Sequence, residues 1–359
     1  MGLTRRRRAT LASLAAELNV SRTTISNAFN RPDQLSADLR ERVLSTAKQM
    51  GYAGPDPVAR SLRTRKAGAL GLVMTEPLTY FFSDPAARDF VAGVAQSCEE
   101  AGQGLLLVSA GPGRDPSDGA AAVLGAGVDG FVVYSVREDD PYLQVVLQRR
   151  LPVVVVDQPK NLTGVSRVGI DDRAAMRMIA DHVLGLGHRE LGLLTMRLGP
   201  DRRQDLVDAE RLRSPAFDVQ RERIAGAWDA MAAVGVDPDR LTVVESYENL
   251  PTSGGIAARV ALEANPRITA LMCTADVLAL SAMDYLRGRG IYVPGQMTVT
   301  GFDGVPEAIA RGLTTVAQPS LKKGHRAGEL LLKPPRTGLP VTELLDTELM
   351  RGRTCGSPA

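Results

Sequence analysis

Eight short aliphatic runs, separated by helix-length stretches, constrain the fold of this 359-residue chain more than any other feature. They are ALGLVM (69–74), LLLVS (105–109), FVVYS (131–135), VVVVD (153–157), LGLLT (191–195), TVVES (242–246), ALMCT (270–274) and TVTGF (298–302). Strands this apolar are buried on both faces, as in a parallel sheet whose crossover helices cover it. The length exceeds that of one ordinary domain and predicts two or three. Strand ends rich in Thr, Ser and Asp suit a site at the carboxyl edge of such sheets.

A different segment precedes the first run. Leu11, Leu14, Ala15 and Leu18 fall at helical spacing, with Thr10 as N-cap. Asn19 sits where the chain must turn sharply, and asparagine tolerates positive φ. Ser21 then caps a second helix whose Ile25, Ala28 and Phe29 face the first, leaving Arg22, Thr23, Ser26 and Asn27 outward. A DNA-reading helix-turn-helix has this layout, although a plain helical hairpin shares the apolar spacing. Ser36 caps a third helix carried by Leu39, Val43, Leu44 and Ala47 and ended by Gly51, with Tyr52 closing the small bundle.

Charge separates the two readings. Residues 1–66 carry thirteen basic and five acidic residues, a net of +8, so a chain of net +2 has a remainder of −6. A basic head on an acidic body fits a polyanion binder whose body is held off the polyanion. Between head and body, Pro55 and Pro57 stop the preceding structure, and Val58 to Arg63 is long enough for about one and a half turns of helix. So short a helix needs a partner to form, because nucleation is costly.

Other classes find little support. Glu17 and Asn19 interrupt the apolar run after the opening arginines, so no secretory signal is expected. No segment approaches the roughly 20 apolar residues of a membrane span. Cys98, Cys273 and Cys355 are odd in number and far apart, which predicts reduced thiols in a cytoplasm. His182, His188 and His325 are scattered without metal-ligand spacing, and His188 reads as a helix C-terminal residue near the dipole. The GPGRDPSDG stretch lacks a dinucleotide fingerprint, and there is no nucleophile elbow. No enzyme, metal or cofactor is expected.

Residues 10–68 resemble the headpiece and hinge of the LacI/GalR (lactose-repressor) family of transcription factors, through TLASLAAELNVSRTTIS, LSADLRERV, Gly51–Tyr52 and the hinge VARSL. The resemblance implies that Arg22, Thr23 and Asn27 read bases. It also implies that Ser21, Thr24, Ser26 and Asn30 contact the DNA backbone, and it adds Thr10 and Ala59 to the DNA-binding set. It further implies that paired hinges fold on the operator and wedge Leu62 into the minor groove, bending the duplex; a buried linker leucine is the alternative. The sequence departs from the family pattern at Asn27, where arginine is common, at Asn19 for glycine, at Asp56 for asparagine, and at Gly54, which lengthens the link to the hinge.

The body is similar to the same family's effector domain, a periplasmic-binding-protein-like pair of doubly wound lobes joined by three crossovers. VGIDDRAA, LGHRELGLL, CTADVLAL, VPGQMTVTGFD and LTTVAQP carry that likeness. The expected fold is therefore α/β: a three-helix headpiece (1–54), a hinge (55–67) and a two-lobed domain (68–359) of two parallel sheets. The first lobe spans about 68–163 and 318–334, the second about 164–317 and 335–355. Residues 199–216 match no motif and read as a surface loop. By resemblance, the cleft uses Asp303 as acceptor, Arg223 as a bidentate donor and Tyr247 as a stacking ring, with Thr75, Asp157, Phe217, Phe81 and Phe82 at its rim. An ion pair between Asp303 and Arg223, or a purely core Phe217, stays open, and Ala275 replaces a frequent polar contact. The expected partners are operator DNA, a sugar-like or nucleoside-like effector, and a second copy of the chain, since no heptad coil for a tetramer follows TELMRGR. A transporter's solute-binding protein is the rival; it would share the body but not the headpiece.

Overall fold

The computed structural model describes residues 9–54, 64–109 and 116–358, and the chain divides between residues 67 and 68 into two compact units. Most of the hinge, with Ala59 and Leu62, lies outside the described residues. In the first unit, α1 (Leu11–Glu17), α2 (Arg22–Asn30) and α3 (Ala37–Met50) enclose Leu14, Ile25 and Val43, none of which is exposed. Thr10 and Ser13 form a reciprocal capping box, Thr10 Oγ1 accepting from the Ser13 amide at 3.1 Å and Ser13 Oγ from the Thr10 amide at 2.9 Å. Asn19 takes a φ of 52° and lets the chain reverse between α1 and α2. Ser21 Oγ accepts from the Thr24 amide at 3.0 Å to start α2. Tyr52 packs edge-on against Phe29 with ring centroids 5.8 Å apart, which closes the bundle.

The second unit holds two sheets. The strands are β1 (Ala69–Met74), β2 (Gly104–Ser109), β3 (Phe131–Tyr134), β4 (Val153–Val156), β5 (Ser166–Gly169), β6 (Leu191–Met196), β7 (Gln204–Leu206), β8 (Thr242–Ser246), β9 (Ala270–Cys273), β10 (Thr298–Asp303), β11 (Thr314–Ala317), β12 (Thr342–Leu344) and β13 (Glu348–Met350). The first sheet runs β12-β5-β4-β3-β1-β2, all parallel; the second runs β13-β11-β10-β9-β6-β8-β7, parallel except for its two edges. All eight aliphatic runs are strands.

Helices cover both sheets: α4 (Tyr80–Ser83), α5 (Pro85–Glu100), α6 (Pro116–Gly125), α7 (Pro141–Gln148), α8 (Asp172–Gly185), α9 (Ala209–Arg213), α10 (Asp218–Ala233), α11 (Ser253–Ala264), α12 (Asp276–Gly288), α13 (Pro306–Ala310) and α14 (Ser320–Leu332). On the first lobe α5 and α14 cross so closely that a Cβ on Gly93 would strike the Leu321 carbonyl, and one on Gly324 the Phe90 carbonyl. That crossing ties the returning C-terminal segment to the first lobe. No described helix is long and apolar enough to cross a membrane.

Three expectations are corrected. The lobe boundaries at 164 and 335 place β5 and β12 in the second lobe, yet both pair within the first sheet, so the chain changes lobe at 170–171, 318–319 and 345–347. Residues 199–216 are not a bare loop: β7 pairs antiparallel with β8, and Arg211 from α9 reaches the buried Glu245 at 2.6 and 2.8 Å. His188 lies beyond the end of α8 and is buried, Nδ1 meeting Thr269 Oγ1 at 2.8 Å and Nε2 the Gly356 carbonyl at 2.8 Å. Burial lowers its pKa, so it ties the C-terminal segment to the second lobe as a neutral ring.

Candidate functional site: the interlobe cleft and the headpiece surface

The carboxyl ends of β1, β3 and β4 face those of β6, β9 and β10 across a cavity of about 760 Å³ counted to its open mouth. From the first lobe come Met74, Thr75, Glu76, Tyr80, Asp84, Tyr134, Ser135, Asp157 and Gln158; from the second, Met196, Arg197, Phe217, Val219, Gln220, Arg223, Asn249, Thr274, Ala275 and Asp303; Gln318 comes from a crossover. Three of these residues, Ser135, Asp157 and Asp303, hold positive φ values of 50°, 63° and 126°. Non-glycine residues in this region store strain, and such residues cluster at binding sites.

Of the expected cleft residues, Thr75, Asp157, Phe217, Arg223 and Asp303 line this cavity. Phe81, Phe82 and Tyr247 do not. Phe81 is fully buried in the first-lobe core, since α4 turns it inward, and Phe82 consequently points to solvent, 66% exposed. The Tyr247 ring is taken by Arg197 and Arg202, whose guanidinium carbons lie 5.5 and 5.3 Å from its centroid.

Arg223 is anchored on three sides. Nε donates to Asp172 Oδ1 at 2.9 Å, Nη1 donates to the Thr274 carbonyl at 2.6 Å, and the guanidinium lies 3.7 Å from the centroid of the Phe302 ring. Its ionic partner is therefore Asp172, not Asp303. Asp303 Oδ1 accepts from Gln318 Nε2 at 2.6 Å, and burial followed by the nearby Asp276 charge pushes its carboxyl well above the usual range. Gln318 Oε1 accepts from Lys323 Nζ at 2.8 Å, and the same ammonium donates to both Asp157 oxygens at 2.8 Å. A polar chain, buried at its Lys323–Asp157 end, thus runs from Asp303 in the second lobe, through a crossover, to Asp157 in the first.

Sequence reasoning missed Glu76, Asp84, Arg197, Asn249 and Lys323, and each matters to the cavity's charge. Arg197 pairs with Glu76, and Asn249 Nδ2 donates to Asp84 Oδ2 at 2.6 Å. Among the described residues every cation at the cavity is matched by a carboxylate, while Asp84 and Asp303 accept from amides. Asn249 Oδ1, buried and without a hydrogen-bond partner among the described residues, is an acceptor for a donor group placed in the cavity. Among the described residues no three His, Cys, Asp or Glu side chains gather as metal ligands.

Behind this wall Asp276 is fully buried, accepting from Thr315 Oγ1 at 2.6 Å and the Val305 amide at 2.8 Å, and burial pushes its carboxyl up to about 7. A raised folded pKa means that the native state holds a proton the unfolded chain has released between about pH 4 and 7. Asp276 therefore makes stability fall as pH rises through that window. Asp276→Asn keeps both partners, its oxygen facing Val305 and its amide donating to the Thr315 hydroxyl. The variant is expected to flatten the pH 5–7 slope of the melting temperature relative to wild type, as read by thermal melts at matched ionic strength; an unchanged slope contradicts the assignment.

On the headpiece, the described residues leave Ser21, Arg22 and Thr23 exposed, with Thr24, Ser26, Asn27 and Asn30 half-buried. Asn27 Nδ2 donates to Gln34 Oε1 at 3.1 Å, and Asn30 Nδ2 turns back to the Ser26 carbonyl at 2.9 Å.

A model of the periplasmic binding protein-like domain matches residues 180–355. The HTH-type transcriptional regulator Rv3575c of Mycobacterium tuberculosis is 86% identical to this chain over 359 residues, the whole of both. A crystal structure of a LacI-family transcriptional regulator from Corynebacterium glutamicum superposes with a TM-score of 0.75 at 39% identity, covering 97% of this chain and 99% of that one. The chain belongs to the LacI family. As a LacI-family member it is a helix-turn-helix DNA-binding regulator and not an enzyme. A complex of the regulator CelR with cellobiose also superposes, with a TM-score of 0.68 at 26% identity over 97% of this chain and 100% of that one. The LacI-family body thus carries its cavity between two lobes, and its headpiece presents the polar face of α2.

Proposed function

We propose that this LacI-family regulator is a cytoplasmic homodimeric repressor. It binds an inverted-repeat operator through two headpieces and is controlled by a neutral, hydroxyl-rich effector in the interlobe cleft. The observation that carries the effector class is the pairing of charge: Arg197, Arg223 and Lys323 are each neutralised by a carboxylate, so among the described residues the cavity has no spare cation for a phosphate or carboxylate ligand. Amides, tyrosines and carboxylates remain to exchange hydrogen bonds with hydroxyls. CelR, a relative that binds cellobiose, supports a sugar-like compound.

On DNA, Arg22, Thr23 and Asn27 read bases from the major groove, while Thr10, Ser21, Thr24, Ser26 and Asn30 set register on the backbone. Gln34 holds one hydrogen of the Asn27 amide. The other hydrogen and the carbonyl remain for adenine N7 and N6. In the hinge, Leu62 opens a central step in the minor groove and Ala59 adds to the DNA contact.

The test is to sequence DNA fragments retained by the purified protein and measure binding to the recovered site. Retention is expected to fall steeply between 50 and 200 mM salt, by roughly two or more decades, from phosphate contacts. Asn27→Ala is expected to lose about 1–3 kcal/mol and relax one position of each half-site. Leu62→Ala is expected to lose operator retention, because the unopened step forgoes the contacts that bending allows. Wild-type retention in both folded variants contradicts this reading of the contacts.

A further inference from the structure

Two side-chain bridges span the cleft between the lobes. Arg197, following β6 in the second lobe, pairs with Glu76, following β1 in the first; their side chains are 13% and 15% exposed. Asn249, following β8 in the second lobe, donates to Asp84 at the start of α5 in the first, at 2.6 Å.

Arg197 and Asp84 are held, and the main chain of Glu76 is fixed, within their own lobes before they reach across. The Arg197 guanidinium lies between two second-lobe rings, 5.1 Å from the Phe217 centroid and 5.5 Å from that of Tyr247. Its partner's main chain is fixed because Ser109 Oγ donates to the Glu76 carbonyl at 3.0 Å. Asp84 Oδ1 is committed to capping α5, accepting from the Ala87 amide at 2.8 Å, so Oδ2 is presented outward to the other lobe. Asn249 stands between β8 and α11. Side chains already immobilised lose little freedom on pairing, and the partly buried charges attract more strongly than they would in water. Bridges built this way favour closure without any ligand.

We propose that Glu76–Arg197 and Asp84–Asn249 form a two-point latch that makes the closed cleft the resting state of the ligand-free chain, so that the lobes part only when both bridges break. The latch acts on the lobes themselves and does not depend on which effector is bound. It assigns Phe217 and Tyr247 to holding the latch arginine.

Interlobe distance in the full-length, ligand-free chain tests this directly. Nitroxide labels at Leu78→Cys in the first lobe and Ile256→Cys in the second, on a Cys355→Ser background and diluted with unlabelled chain, report the separation by pulsed electron spin resonance; both sites are exposed and outside the latch. Wild type is expected to give one short, narrow distance population. Glu76→Gln combined with Asn249→Ala is expected to shift it to a longer and broader distribution, with Glu76→Gln alone intermediate. A broad, long distribution in wild type overturns the proposal, as does an unchanged distribution in the double variant with a cooperative melt. Should the double variant fail to fold, the same readout on Glu76→Gln alone, a near-isosteric change, decides.

Discussion

Replacing Lys323 by methionine is expected to destabilise the two-lobed unit by about 3–5 kcal/mol, the usual cost of leaving one member of a buried ion pair alone. Lys323 is 1% exposed, and its three ammonium hydrogens match three acceptors, both Asp157 oxygens and Gln318 Oε1. Methionine fills similar volume but leaves Asp157 inside the protein with no cation. It also frees the Gln318 amide, whose orientation is set by an ammonium at its oxygen and the Asp303 carboxyl at its nitrogen. At about 2–4 °C per kcal/mol, the melting temperature should drop by roughly 6–20 °C. Adding Asp157→Asn removes the stranded charge and should recover more than half of that loss, while Asp157→Asn alone should be nearly as harmful as Lys323→Met. Urea titrations of the four proteins measure the coupling. A loss below about 1 kcal/mol in Lys323→Met contradicts a dry ion pair at this crossover.

Three of the strands that sequence reasoning missed share a physical reason. The eight recognised strands are aliphatic because helices cover both their faces, whereas β7 (QDL), β12 (TEL) and β13 (ELM) are three-residue edge strands with much of their length in solvent. Burial leaves no imprint on such segments, so the hydrophobic pattern cannot mark them. β12 and the four-residue β5 are what move the lobe boundaries. Their membership of the first sheet depends on pairing between residues 166–169 and 342–344, which local pattern does not encode.

The cleft shows the same division. Thr75, Asp157, Arg223 and Asp303 were legible because they stand at strand ends or in a family motif. Glu76, Asp84, Arg197 and Asn249 were not, because their roles are pairwise and their partners lie 121 and 165 residues away. Tyr247 illustrates how residue type misleads: an aromatic two residues from a lining position invites a stacking role, yet its ring faces two guanidinium groups from its own lobe. Lys323 follows another lysine and reads as surface charge, and only the packing of α14 over β4 takes it inside.

Arg223 carries the second large effect, and its replacement separates a stability role from a binding role. Arg223→Met strands Asp172, a carboxyl 1% exposed whose pKa burial already raises and whose ionised form the guanidinium supports. A loss of about 3–5 kcal/mol is expected near neutral pH. The loss has a sign with pH: removing the cation raises Asp172 further, so the folded variant retains a proton that the unfolded chain gives up, and its deficit grows as pH rises above the ordinary carboxylate range. Asp172→Asn in the same background should abolish that growth and restore much of the stability. Arg223→Lys keeps the charge but not the geometry. A single ammonium cannot reproduce the planar fork that meets Asp172 Oδ1 and the Thr274 carbonyl while lying flat on Phe302. That variant should stay folded, with a deficit of about 1 kcal/mol, yet respond more weakly to any effector that shifts the wild-type melting temperature. Equal effector response in Arg223→Lys and wild type places the residue in the scaffold alone; a lost response on an intact scaffold places it at the ligand, where the guanidinium's remaining edge faces the cavity beside Asp303.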